Sequence, residues 1–148
     1  AIRHALIESI RLTGENFDTI VDLDATSPLR SVEDIVSAVN LLESKKASNL
    51  ISATPSHRSP YFNLVEIDED GKVQLSKKMQ KSITRRQDSP KCYDMNASIY
   101  AWKVEALMLQ DSLFNPDTLL YIMPRERSFD IDSELDFYIV ELIKKKCN

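Results

Sequence analysis

The sequence predicts an α/β fold with a mostly parallel sheet. Strands alternate with helices at both ends of the chain. The middle is extended and turn-rich, and reads as an insertion or edge subdomain. At 148 residues, with 43% hydrophobic and 28% charged residues, the chain suits one soluble domain with a sizeable core.

Ile2, Leu6, Ile7 and Ile10 have helical spacing, and Gly14 ends that helix. Thr19–Leu23 is a short β-branched run, read as a buried strand. It leads into the proline-bearing turn Asp24–Arg30. Ser31 then caps a second helix, with Glu33 and Asp34 in its first turn, where the helix dipole favours acids. Its inner stripe is Ile35, Val39 and Leu42. Asn49–Thr54 is a second strand, ended by Pro55. Leu64–Ile67 and Val73–Leu75 flank Asp68-Glu69-Asp70-Gly71 and form a surface hairpin. Lys77–Arg86 is basic and weakly patterned. Ser98–Trp102 is a strand, Val104–Leu109 a short helix and Leu119–Met123 a further strand. Ser133 or Asp132 caps the last helix, with Leu135, Ile139, Leu142 and Ile143 facing inward and Lys144–Lys146 at its C-terminal end.

Composition excludes several classes of function. No apolar run approaches the roughly 18 residues of a membrane span. The net charge of −4 argues against nucleic acid, which is gripped by clustered Lys and Arg. Cys92 and Cys147 do not have the number or spacing of a disulfide framework or a zinc site, and read as reduced thiols of a cytoplasmic protein. The two glycines, Gly14 and Gly71, lie outside any phosphate-cradling turn.

Ligands of open α/β sheets bind beyond the carboxyl ends of the strands, and three polar segments fall at such places. Asp22 and Asp24 have period-two spacing and point to one side of the first strand; the following Thr26-Ser27-Pro28 could also simply end it. Asp130-Ile131-Asp132, if extended, turns both carboxylates one way. Such a pair suits Mg²⁺, which takes one or two carboxylates plus substrate phosphates; Asp132 could equally be only a helix cap. Arg85-Arg86-Gln87, with Asn96 and Tyr100 downstream, could grip a carboxylate bidentately or form a solvated basic face.

Taken in order, these segments resemble one family. Ala25-Thr26-Ser27-Pro28-Leu29-Arg30 is similar to the PTSPLR turn of the CMP-N-acylneuraminate cytidylyltransferases, the CMP-sialic acid synthetases. Arg86-Gln87 and Asn96-Ala97-Ser98-Ile99-Tyr100 resemble further segments, the latter the family's NGAIY. Leu120-Tyr121-Ile122-Met123, followed by Ser128-Phe129-Asp130-Ile131-Asp132-Ser133-Glu134-Leu135-Asp136, is similar to LYxM and S-I-D-I-D-T-E-L-D. The resemblance spans nearly the whole chain.

It implies a three-layer, Rossmann-like nucleotide-diphospho-sugar transferase fold. It implies condensation of CTP with a sialic-acid-like nonulosonic acid, giving the CMP-sugar and pyrophosphate. Asp130 and Asp132 would be the catalytic, Mg²⁺-holding carboxylates. Arg86 would pair with the sugar carboxylate beside Gln87. Asp24, Thr26, Arg30, Asn96 and Tyr100 would complete the substrate site. Phe114, next to Leu113, would reach a partner subunit's pocket in a homodimer built on an inserted segment at about 77–117. Asp24 stands where relatives acting on N-acetylneuraminate often carry Gln, which suggests legionaminic or a related acid. Ala97 replaces the family's Gly. The family's N-terminal triphosphate loop has no counterpart in these residues, so this chain alone is expected to be inactive. The alternatives are transfer to another keto acid sugar, such as 3-deoxy-manno-octulosonate, and a non-catalytic α/β binding or dimerisation module.

Overall fold

The computed structural model describes residues 1–79 and 85–147, excepting the side chains of Arg86 and Cys147. The chain divides into two compact units. The first is Ala1–Thr54 together with the chain from Met95 onward, and the second is Pro55–Asp94. The second unit overlaps the segment expected at about 77–117 over residues 77–94.

The first unit is built on a mixed four-stranded sheet. In chain order its elements are α1 (Ile2–Thr13), β1 (Thr19–Leu23), α2 (Val32–Lys45), β2 (Asn49–Pro55), and, after the second unit, β5 (Tyr93–Lys103), α3 (Val104–Leu109), β6 (Leu119–Ile122) and α4 (Glu134–Cys147). The strand order is β1-β5-β2-β6. β1 and β5 are antiparallel, with Asp22 opposite Tyr100 and Leu23 opposite Ile99. β2 and β6 run parallel, with Ser52 opposite Tyr121.

The α2 face of the sheet holds one core: Ala38 and Leu42 of the helix against Leu50, Ile99, Ala101 and Met123. Leu6 of α1, Trp102 of β5 and Leu107 of α3 form another. The helix ends are set locally. Gly14 takes a left-handed φ of 71° and donates to the Ile10 carbonyl at 2.8 Å, closing α1. Ser31 and Asp34 form a reciprocal capping box at the start of α2. Ser133 caps α4 by accepting from the Asp136 amide, which settles the choice between Ser133 and Asp132.

One expectation changes. The inner face of α4 is Ile139, Val140 and Ile143, with Val140 buried, while Leu135 (67% exposed) and Leu142 point to solvent. On α2 the expected Leu42 is buried and Ile35 packs against the core, and Asp34 and Ala38 are buried with them. A buried aspartate within an otherwise apolar stripe is not something hydrophobic periodicity can show.

In the second unit, β3 (Val65–Ile67) and β4 (Val73–Leu75) form an antiparallel hairpin. Its turn is organised by Asp68, whose carboxylate accepts from the amides of Asp70 and Lys72. Val65 lies opposite Leu75 and Ile67 opposite Val73, so all four share one face. That face is exposed, with Ile67 at 72% and Val73 at 66%.

Candidate functional site: a turn and a loop tied through Asn96

The turn after β1 is shaped by Asp24. One carboxylate oxygen accepts from both the Thr26 amide (3.1 Å) and the Thr26 hydroxyl (2.9 Å). These bonds, backbone first, hold the Asp24 carboxyl below its ordinary range. Ser27 is buried and donates to the Asn96 carbonyl. Arg30 donates to the carbonyls of Ser27 (3.0 Å) and Ser98 (3.1 Å), fastening the turn to β5.

Asn96 is the hub. It is buried in β5, and its side-chain oxygen accepts from the Ser52 hydroxyl (2.7 Å) and the Ser98 amide (3.3 Å). Its amide nitrogen donates to the Ser128 hydroxyl at 3.0 Å and meets the Met123 sulfur at 3.3 Å. Ser52 in turn accepts from the Ile99 amide (2.8 Å). The next residue, Ala97, has φ 49°, the left-handed region that a Cβ disfavours. This explains why glycine suits the position in the NGAIY segment. Asn96 therefore joins β2, β5 and the loop after β6, rather than standing open toward a ligand.

That loop carries Asp130. The segment 128–131 is irregular and 132–133 bends into α4, so Asp130 and Asp132 lie on a loop and in no strand. The Ile131 amide donates to the Thr26 carbonyl at 3.0 Å, which brings the loop against the Asp24 turn. Asp130 is half-buried and Asp132 exposed. Burial, and then the fields of Asp24, Asp22 and Asp130, push the Tyr100 hydroxyl upward. Three carboxylates are therefore felt at one tyrosine.

The structure thus gathers Asp24, Thr26, Arg30, Asn96, Tyr100 and Asp130 at one end of the first sheet. Phe114 lies exposed in the loop after α3. Gln87 is in the second unit, beside a cavity of about 660 Å³ lined also by Arg58, Lys91 and Tyr93. Arg86 begins the short 3₁₀ turn Arg86–Asp88, and its side chain lies outside the described residues. No group of three or more His, Cys, Asp or Glu side chains arranged to hold a metal occurs among the described residues.

Sequence reasoning missed Ser52, Asp34 and Arg127. Ser52 had a signal, as a hydroxyl set between the apolar Leu50, Ile51 and Ala53. Asp34 is 1% exposed and accepts the Ser31 amide and hydroxyl, the Tyr121 hydroxyl, and two Arg127 nitrogens at 2.7 and 2.9 Å. Burial pushes its carboxyl up, but the bonds from Arg127 and Ser31 outweigh this and bring it down to about 2. Nothing in the spacing of Asp34 and Arg127 announces their pairing.

Comparison with known proteins gives this geometry a context. No family model matches the chain. The post-translational flagellin modification protein B of Campylobacter coli is 49% identical over 99% of the chain and 61% of its own length. The CMP-N,N'-diacetyllegionaminic acid synthase of Campylobacter jejuni is 49% identical over 96% of the chain and 59% of its own length. The N-acylneuraminate cytidylyltransferase of Escherichia coli is 30% identical over 99% of the chain. The chain is similar over nearly its whole length to the CMP-nonulosonic acid cytidylyltransferases. It spans about three fifths of the length of the first two relatives. A solved structure, the 4-diphosphocytidyl-2C-methyl-D-erythritol synthase of Anaerococcus prevotii, superposes with a TM-score of 0.53 at 14% identity, covering 100% of this chain and 67% of that one. The α/β, Rossmann-like fold is thereby shown. No described helix of this cytidylyltransferase relative is long and apolar enough to cross a membrane.

Proposed function

We propose that the protein containing this chain condenses CTP with a nonulosonic acid of the legionaminic type, releasing pyrophosphate. The carrying observation is the tie between the Asp24 turn and the Asp130 loop, in a chain 49% identical to a legionaminic acid synthase. The sugar's anomeric hydroxyl oxygen would bond to the α-phosphorus of CTP. The bond from that phosphorus to pyrophosphate breaks, and the hydroxyl proton passes to water. Such a substitution is governed by positioning and charge neutralisation.

The residues present fit a divalent cation. Asp130 and Asp132 make no salt bridge among the described residues, and two carboxylates suffice for Mg²⁺ when phosphates complete its shell. When bound, such a cation would neutralise charge on the triphosphate. Asp24 offers its second oxygen to a donor on the sugar, the first being taken by Thr26. Tyr100, its hydroxyl kept protonated, would donate a hydrogen bond to the sugar. Arg86 and Gln87 are proposed to receive the sugar carboxylate. Asn96 and Arg30 hold the turn and loop in register.

The same reading makes the enzyme a cytoplasmic homodimer, with Phe114 offered to the partner's site. The aliphatic hairpin face supports a second copy as its occupant. The hairpin is acidic at its tip (Asp68, Glu69, Asp70) and basic at its base (Lys77, Lys78), so two copies packed tip to base match opposite charges.

The test is pyrophosphate release by the full-length protein from CTP and Mg²⁺ with a panel of nonulosonic acids, including 3-deoxy-manno-octulosonate. Turnover is expected with a legionaminic-type acid. No turnover with any member contradicts the reading, and preference for 3-deoxy-manno-octulosonate replaces it.

A further inference from the structure

The ion pair between Asp34 and Arg127 sits apart from the polar cluster around Tyr100, yet it is tied to both segments of the site. Asp34 lies in the first turn of α2, four residues after Arg30 closes the Asp24 turn. Arg127 ends the 3₁₀ turn Arg125–Arg127, and Ser128 follows it at once. The Ser128 hydroxyl donates to the Pro124 carbonyl and receives the Asn96 amide. One buried carboxylate therefore holds the start of the helix behind the turn and the start of the loop that carries Asp130.

Stability alone does not explain this arrangement. Asp34 is buried but the Arg127 side chain is 39% exposed, and an ion pair open to solvent on one side is weak evidence for stabilisation. What the pair does supply is direction. The planar guanidinium meets both carboxylate oxygens in a fork, which fixes Arg127 in angle as well as distance. Tyr121, on β6, adds a third direction through its hydroxyl at 3.2 Å. A loop whose carboxylates must meet a small cation within tenths of an ångström needs that kind of constraint.

We propose that Asp34 and Arg127 are positioning residues that set the Asp130–Asp132 loop for cation binding by clamping it to the N-terminus of α2. The proposal rests on the cation reading of Asp130 and Asp132 given above.

The test uses the full-length protein with CTP and Mn²⁺ as the probe, free Mn²⁺ being read by electron paramagnetic resonance. Arg127→Lys keeps the charge and loses the fork; Asp34→Asn keeps the shape and loses the charge. Lys103→Met serves as a control, because Lys103 pairs with Glu43 in the first unit without bonding to either loop. Arg127→Lys is expected to weaken Mn²⁺ binding about tenfold and to lower kcat, with the KM for CTP changed less than about twofold. Asp34→Asn is expected to act in the same direction and more strongly. Lys103→Met is expected to change the melting temperature alone. Should Asp34→Asn not fold, Arg127→Lys decides by itself. Wild-type Mn²⁺ affinity in Arg127→Lys, with only a lower melting temperature, overturns the clamp. No Mn²⁺ binding by the wild type overturns the cation reading beneath it.

Discussion

The two units use their polar and apolar residues in opposite ways. In the first, a turn and a loop are held by buried polar atoms whose bonds are nearly all made: Asn96, Ser52, Ser27 and Asp34 each have named partners. In the second, a hairpin shows four aliphatic side chains to solvent, while its polar groups serve its own turn. Saturated internal bonds fix a geometry and leave little for a partner. An exposed apolar face does the reverse, since a two-stranded hairpin is marginal until something covers it. Positioning chemistry belongs to the first arrangement and association to the second.

The largest effect expected is on turnover. Asp130→Asn in the full-length enzyme should lower kcat/KM about a thousandfold, about 4 kcal/mol of transition-state stabilisation, with melting nearly unchanged. Pyrophosphate release and thermal unfolding, measured side by side, check it. Asn96→Ala should instead act on the fold. It leaves the hydroxyls of Ser52 and Ser128 without their shared partner in a buried place, and should cost about 3 kcal/mol in denaturant unfolding.

The clamp also makes a prediction about acid. The Asp34 carboxyl lies at about 2 in the fold, against an ordinary value of 3.8. A depressed carboxyl contributes fully above its unfolded value and is lost as pH falls through the folded one. About 2 kcal/mol of stability should therefore disappear between about pH 4 and pH 2. Asp34→Asn should remove that part of the pH dependence, which a series of denaturant titrations would show.

On the other unit, Ile67→Asp should leave the first unit's stability within about 0.5 kcal/mol. It should move a concentration-dependent dimer toward monomer in sedimentation. Unaltered association would direct attention away from the hairpin. The smallest effect is at Ala97. Ala97→Gly relieves a left-handed φ of 49° and should stabilise by about 0.5 kcal/mol, part of the gain being offset by the freer unfolded chain.

Much of this was legible in the residues. Thr19–Leu23 and Val104–Leu109 follow apolar patterning, and the observed elements have those bounds. The hairpin follows from the Asp68–Gly71 turn. The ordered matches from Ala25 to Asp136 pointed to the family before any geometry was known. What stayed hidden depends on contacts between residues far apart in sequence. Asp34 reads as an ordinary first-turn acid until Arg127, 93 residues away, is seen beside it. Asn96 reads as a ligand-facing amide until burial shows its bonds directed into the protein. On α4, periodicity alone placed Leu135 and Leu142 inward, because a stripe of apolar residues does not say which side of it the sheet covers.

The central claim is that the Asp24 turn and the Asp130 loop form one site. A double-mutant cycle on kcat/KM with Asp24→Asn and Asp130→Asn, singly and together in the full-length enzyme, tests this directly. One site predicts that the paired loss falls short of the sum of the single losses by more than about 1 kcal/mol. Additive losses would contradict it.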